Sequence, residues 1–437
     1  MKVTFLTAGT GSYHCGACMR DNTLATALHR DGHEVALLPL YLPMQLDEES
    51  PPQQSRVPIF FGGINVYLQN KFAFFRHTPR WVDALLNGAG LLRKAASRSH
   101  MTSPRDQGEI CLAMLRVEQS RFTKELEKLI DWLAVHEQPE CIALSTTLFA
   151  GMTKELKKRL EDIPVIAFFQ GEDTFLDSLP EPYRTGCWDE MKERLVECEM
   201  LIAPSRFYAG VMSKRLGISQ EKIEVLPNGI NLEGYGRQPL DGPRAIGYLS
   251  RMCRDKGLGD MVDAYLLFQS KGNFPECRLK IAGSCPPEDE PFVKEQKQKI
   301  ETAGLSHLVD WKPNVSREEK ARFLGSLTIF SAPMRYAEAF GLCLVEAMAS
   351  GVPVVNPGGS TFEEIALVTG GGKTVSPGDP GLLACAWEEL LANPEEATAM
   401  GERGRRGVEE HYSVKAMKDG FLKLAQRACA KTASRQP

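Results

Sequence analysis

Apolar runs of strand length alternate with longer amphipathic runs along almost the whole chain. An apolar stretch at 2–7 precedes a helix-spaced stretch at about 19–30, which Gly32 closes before a second apolar run at 35–40. Strand, loop, helix, strand is the repeating unit of a parallel sheet. Further buried strands are predicted at 141–144, 165–169 and 200–203. Ile110, Met114, Val117, Leu126, Leu129 and Leu133 fall near helical spacing and predict one long helix over 108–137. A stretch rich in Gly and Pro at about 233–243 then interrupts the alternation. It restarts with strands at 245–249, 278–282, 327–330 and 352–355, helices at 258–269 and 342–350, and a charged helix over 401–427. The expected fold class is α/β, with two facing, doubly wound, Rossmann-like domains. Their expected bounds are 1–235 and 240–412, with a last helix, 414–437, returning to the first. Such folds bind ligands beyond the carboxyl ends of their strands, so an interdomain cleft is the expected site.

Composition narrows the classes. Lys and Arg number 52 and Asp and Glu 56, a formal net charge of −4, which argues against a broadly basic nucleic-acid surface. A hydrophobic content of 43% argues against intrinsic disorder. No run approaches the roughly 20 apolar residues of a membrane-spanning helix. The opening apolar stretch breaks at Thr7-Ala8-Gly9, too short for a signal peptide, and reads as a buried strand. The 12 cysteines are scattered, which predicts reduced thiols and a cytoplasmic location.

Three segments carry candidate chemistry. Glu338 and Glu346 stand eight apart around Phe340-Gly341-Leu342, where Gly341 opens a helix. The unpaired amides of a helix start suit a phosphate, and carboxylates accept hydrogen bonds from sugar and ribose hydroxyls. Taken alone, the same spacing equally describes two solvated helix carboxylates. Arg251 and Lys256, in a loop between strand and helix, can neutralise a diphosphate, one as a fork and one as a point charge. Asn228-Gly229 forms a turn that brings backbone close to a ligand.

Together these segments resemble the retaining glycosyltransferases of the GT-B fold, specifically family 4. The matching stretches occur in the family's order: 32–35, 203–205, 225–229, 250–257, 279–283, the Glu338 to Glu346 motif, and its continuation to Val355. The match is weakest over about 45–135. The resemblance implies a nucleotide-diphosphate sugar as donor substrate, no cofactor and no metal. It implies that Arg251 and Lys256 grip the diphosphate, that Glu338 contacts the donor sugar and that Glu346 contacts the ribose. It places the backbone of Phe340, Gly341 and Leu342 against sugar and phosphates, with Gly16, Asn228 and Gly229 also on the donor. The 240–412 domain is then the donor side and 1–235 the acceptor side. Glu288-Asp289-Glu290, the one acidic cluster suggestive of a metal, reads as solvated surface.

The sequence departs from the family at three places. Cys15 stands where a glycine is usual, followed by Gly16 and, two further on, Cys18; a redox enzyme, a metal site and a redox-sensitive gate compete for this CxxC pair with plain lining of the loop and helix start. Gln170 stands where a His is common, which excludes acid–base work there but allows hydrogen bonds to a sugar. Glu172 and Asp173 follow as acceptor candidates. Met334 replaces a small hydroxyl residue, with little expected effect. A basic, aromatic stretch at 70–104 invites three readings: a contact with an anionic membrane surface, a grip on an acidic acceptor, or an acceptor-side lid. The acceptor, the nucleotide base and the oligomeric state are not specified by the sequence. A non-catalytic sugar-nucleotide binder and a GT-B isomerase or phosphorylase are the rival functions.

Overall fold

In the computed structural model the described residues are 1–9, 16–42, 44, 59–62, 66, 68–69, 72, 74, 78, 104–161, 163–239 and 242–434. Cys15 and nearly all of the basic stretch at 70–104 lie outside them. The chain divides into two compact units: Met1–Pro204 with Ala209–Gly229 and Met417–Pro437, and Ser205–Tyr208 with Ile230–Ala416.

The first unit is built on six strands: β1 (Lys2–Thr7), β2 (Glu34–Pro39), β3 (Cys141–Leu144), β4 (Val165–Phe168), β5 (Met200–Ala203) and β6 (Ile223–Val225). They pair in the order β2-β1-β3-β4-β5-β6, all parallel. β3 and β4 are buried at every position, which is why they read as continuous apolar runs. Helix α1 (Gly16–Arg30) starts three residues earlier than its apolar spacing suggests.

The long helix predicted over 108–137 is two helices, α2 (Pro104–Leu115) and α3 (Thr123–Trp132). Between them Ser120 accepts from the Phe122 amide at 3.1 Å, and Thr123 donates to the carbonyl of Ser120 at 2.7 Å. These local bonds satisfy backbone groups that a continuing helix would use. The remaining described helices of this unit are α4 (Thr153–Arg159), α5 (Glu172–Ser178), α6 (Tyr183–Arg194) and, beginning in the other unit, α7 (Arg206–Leu216).

The second unit repeats the architecture. Its strands are β7 (Ala245–Leu249), β8 (Arg278–Gly283), β9 (Val309–Pro313), β10 (Ile329–Phe330), β11 (Val354–Pro357) and β12 (Gly372–Val375). They pair in the parallel order β12-β11-β10-β7-β8-β9. Around them lie α8 (Leu258–Ser270), α9 (Glu290–Thr302), α10 (Arg317–Gly325), α11 (Leu342–Ala349), α12 (Thr361–Thr369), α13 (Pro380–Ala392) and α14 (Pro394–His411). The core is centred on fully buried Trp387, Tyr248, Tyr265, Phe268 and Phe330. Trp387 donates its indole N–H to Ser331 at 2.8 Å, so its one polar atom is satisfied. The charged helix expected over 401–427 is likewise two, α14 and α15 (Val414–Ala433), separated where Ser413 bridges Ile230. No described helix is long and apolar enough to cross a membrane.

From Met417 onward α15 belongs to the first unit. Phe421, fully buried, places its ring 5.5 Å from Phe5 on β1 and 6.1 Å from Phe168 on β4. Met417, Leu424, Ala425 and Ala428 extend that contact over helical spacing. Phe421→Ala is expected to destabilise the protein by about 3–5 kcal/mol, the range for truncating a buried aromatic. A urea titration followed by tyrosine and tryptophan fluorescence checks this, read as a fall in midpoint.

Candidate active site

Both sheets reverse direction once, and the candidate residues collect at those reversals. In the second unit the chain runs β7, β8, β9 to one side and returns to β10 on the other, so the reversal lies between β7 and β10. Because the strands are parallel, the loops after β10, β7 and β8 leave one edge side by side. Their backbones are bonded to each other: Arg335 N donates to Asp255 O at 3.0 Å, and Met252 N donates to Ser284 O at 2.8 Å. The contact is close enough to demand glycine. A side chain on Gly257, whose φ is +77°, would strike Pro333 O, and one on Gly283, at φ +136°, would strike Ser250 O.

This convergence makes two sets of ion pairs from the loop after β7: Lys256 with Glu338, and Arg251 with Asp289 and Glu288. Lys256 Nζ lies 2.8 Å from Glu338 Oε2, 3.9 Å from Met334 Sδ, and 4.8 Å from the centre of the Tyr336 ring. Burial alone would lower the Lys256 ammonium, but Glu338 and Tyr336 outweigh it and hold it above the ordinary lysine value. Burial, with the Glu338 charge, pushes the Tyr336 phenol up to about 12. Arg251 is bound through Nε to Asp289 Oδ2 at 2.5 Å and through Nη2 to Glu288 Oε1 at 3.1 Å. Asp289 is only 9% exposed. The reading of this acidic loop as solvated surface holds for the exposed Glu288 and Glu290 and is corrected for Asp289 alone, which is buried against Arg251.

The loop bearing Glu338 is held from below. Asn356, at the end of β11, accepts from Ala332 N at 2.8 Å and donates to Ala332 O at 3.0 Å, as a neighbouring strand would. Thr361 donates to the carbonyl of Glu338 at 2.8 Å. Phe340 turns its side chain into the core, its ring 6.0 Å from Tyr412. Gly341, left-handed at φ 93°, begins α11, and no side chain caps that helix start. Leu342 is its first residue. Glu346 lies further along α11, 5% exposed, where Oε1 accepts from Tyr235 at 2.7 Å and from Lys320 at 2.5 Å.

In the first unit the reversal lies between β1 and β3. Gly16 opens α1, and a side chain added there would point into open space. Cys18, buried, accepts from the Thr7 hydroxyl at 3.6 Å. Beside it sits an unpredicted buried ion pair, Arg20 to Asp21 at 2.8 Å. Arg20 also donates to Ser145 O at 3.2 Å and covers the Phe168 ring at 3.8 Å. Burial pushes the Asp21 carboxyl up, against the opposing pull of Arg20. Gln170 follows β4 and accepts from Asn228 at 3.4 Å, while its own amide nitrogen is buried without an acceptor among the described residues. The amide of Gly229 faces Met417 Sδ at 3.1 Å.

Glu172 does not face an open acceptor site. Its Oε1 accepts from Thr146 Oγ1 at 2.6 Å and Thr147 N at 3.2 Å, and its Oε2 from Gln170 N at 2.7 Å and Gly171 N at 3.1 Å. At 4% exposed, it ties the loops after β3 and β4 together at the start of α5. Asp173, beside it, is half-buried. Asn356 and the Tyr235 and Lys320 contacts with Glu346 were not visible in spacing, because each joins residues from different loops or helices; the adjacent Arg20 and Asp21 were not singled out because their burial comes from other elements, which bring Ser145 and Phe168 against Arg20.

The comparisons agree with this architecture. Residues 237–407 match the family model described as Glycosyl transferases group 1, and residues 108–233 match Glycosyltransferase Family 4. An MMP α-(1→4)-mannosyltransferase from Mycolicibacterium hassiacum is 26% identical over 250 residues, 56% of this chain and 58% of that protein. The chain thus spans little more than half the length of this curated relative. Sucrose-phosphate synthase from Thermosynechococcus elongatus superimposes with a TM-score of 0.71 at 17% identity, covering 98% of this chain and 99% of that one. Anabaena HepE in complex with UDP-glucose gives 0.64 at 16% identity, covering 98% and 100%. These likenesses establish the shared fold.

Glu172→Gln is expected to lower stability by about 1–3 kcal/mol, since it weakens charge-assisted bonds to buried donors. Thermal unfolding measures this. A variant as stable as the wild type would return Glu172 to the list of acceptor contacts.

Proposed function

This chain belongs to the group 1, family 4 glycosyltransferases, and from that premise we propose that it moves a sugar from a nucleoside-diphosphate sugar to an acceptor hydroxyl with retention at the anomeric carbon. The observation that carries this reading is the convergence of Arg251, Lys256 and Glu338 at the reversal of the second unit's sheet, beside the uncapped start of α11. Two cations and a helix N-terminus match a diphosphate, and the carboxylate beside Lys256 matches a sugar hydroxyl. The HepE complex with UDP-glucose supports a donor of this class. The second unit is the donor side in this proposal and the first the acceptor side, with Gly16, Asn228 and Gly229 assigned to the donor. The non-catalytic binder, isomerase and phosphorylase readings are not favoured: the relative named above is a transferase.

In the proposed reaction the bond from the anomeric carbon to the diphosphate oxygen breaks while the acceptor oxygen bonds on the same face. The acceptor proton passes to the leaving phosphate, since Gln170 cannot titrate. Charge grows on the leaving diphosphate, and Arg251, Lys256 and the α11 amides stabilise it without a metal or cofactor. The diphosphate displaces carboxylates already bound to those cations: Asp289 and Glu288 on Arg251, and Glu338 on Lys256. Released from Lys256, Glu338 turns to the sugar. The described cysteines are all free thiols, which supports a reducing, cytoplasmic setting. Peripheral membrane contact through 70–104 belongs to the same proposal.

A thermal-shift panel of UDP-glucose, GDP-mannose and ADP-glucose, followed by nucleotide-release assays with sugar and lipid acceptors, tests the activity. Tight binding with no turnover on any donor would sink the transferase reading. Glu338→Ala should abolish transfer and leave nucleotide binding within about threefold, as expected for a residue that contacts the sugar and not the nucleotide and whose solvent-reached pair with Lys256 is worth little. Asp289→Asn should tighten nucleotide binding by up to about fivefold, because a half-exposed ion pair is worth roughly 0–1 kcal/mol. Calorimetric titration reads both.

A further inference from the structure

The carboxylate of Glu346 is bound on one side only. Oε1 receives both the Tyr235 hydroxyl and the Lys320 ammonium, whereas Oε2 has no partner among the described residues. A carboxylate this deeply buried is costly unless paired, and its rotamer is free to wander unless something fixes it. Two donors on one oxygen do both. They leave the other oxygen as a charged acceptor in a set direction.

Each donor is itself held by the fold. Lys320 projects from the first turns of α10, which begins at a reciprocal cap: Ser316 accepts from Glu319 N at 3.2 Å, and Glu319 accepts from Ser316 N at 2.8 Å. Tyr235 lies in the segment that composition marks as a linker. That segment is sewn onto the second unit: Gln238 N donates to Gly325 O at 3.0 Å, Arg237 to Gly351 O at 3.2 Å, and Arg405 to Tyr235 O at 3.4 Å. The ends of α10 and α11 are thereby tied to the residue that holds Glu346.

We propose that Lys320 and Tyr235 are positioning residues that fix Glu346 as an ionised acceptor with a single free oxygen for a ribose hydroxyl, so that the preference for a ribonucleotide over a deoxyribonucleotide donor depends on Lys320. This rests on the reading that Glu346 meets the ribose. A hydroxyl bonded to a fixed carboxylate contributes about tenfold or more in affinity, and a carboxylate left to reorient loses most of that. The diphosphate contacts on Arg251 and Lys256 are separate from this one.

The test uses the full-length chain and the tightest binder among UDP, GDP and ADP, with its 2′-deoxy and 3′-deoxy counterparts, titrated by calorimetry. Wild type should prefer the ribonucleotide about tenfold over at least one deoxy form. Lys320→Met should reduce that ratio below about threefold, mainly by weakening the ribonucleotide, and in turnover the loss should fall on donor KM more than on kcat. Lys320→Arg should restore most of the ratio. Tyr235→Phe, which keeps the packing of the ring, should give an intermediate ratio and serves if Lys320→Met unfolds. An unchanged ratio in folded Lys320→Met or Tyr235→Phe would overturn the positioning role. If wild type already fails to distinguish ribose from either deoxyribose, the ribose reading of Glu346 falls, and the proposal falls with it.

Discussion

The parallel pairing of β10, β7 and β8 is the constraint from which the candidate site follows. Parallel strands release their following loops at one edge, and adjacency in the sheet makes those loops neighbours whatever their separation in sequence. Lys256 and Glu338 stand 82 residues apart and meet because β7 lies against β10. Arg251 and Asp289 meet because β7 lies against β8 on its other side. The glycines at 257 and 283 allow the loop backbones to approach closely. Asn356 and Thr361 then fix the height of the Glu338 loop from the next strand and helix. The chemistry of the edge is therefore a property of strand order first and of motif second.

Carboxylates in the two units fall into two kinds. Glu172 and Glu346 are buried with hydrogen bonds converging on them, and they hold loops and helices in place. Glu338 and Asp289 are partners of cations whose own side chains remain 23% and 46% exposed. Water reaches the second kind, so exchanging one anion for another there costs little. Removing a partner from the first kind strands a buried charge. The contrast separates carboxylates fixed by the fold from carboxylates bound only to a solvent-reached cation, and neither class is distinguishable by residue type.

Much of this was legible in the sequence, for identifiable reasons. Central strands such as β3, β4 and β7 are buried on both faces and read as unbroken apolar runs. β6, β9 and β12 were not predicted, and all three are edge strands. Their burial is partial, as in Val309-Asp310-Trp311-Lys312-Pro313, so the apolar signal is diluted by polar positions facing water. The long helix at 108–137 failed because periodicity carries no information on the hydroxyl-to-backbone bonds at Ser120 and Thr123. Arg251, Lys256, Glu338 and Glu346 were found because they lie in contiguous motifs. Tyr235, 111 residues from Glu346, was read as linker because its role exists only once α11 is in place.

The two sheet reversals differ in charge, and the difference bears on what each can hold. At the reversal of the second unit the cations are paired with replaceable carboxylates, so a polyanion finds binding groups that are preformed and exchangeable. At the reversal of the first unit the described cation Arg20 is bound to fully buried Asp21, to Ser145 O and to the face of Phe168. Among the described residues Thr7, Ser145 and the amides of Gln170 and Asn228 also lie near that edge, and the one carboxylate bonded there to both loops, Glu172, is held by Thr146, Thr147, Gln170 N and Gly171 N. Hydroxyls and amides both donate and accept, whereas the second edge is dominated by ion pairs. The Gln170 nitrogen is buried and has no acceptor among the described residues.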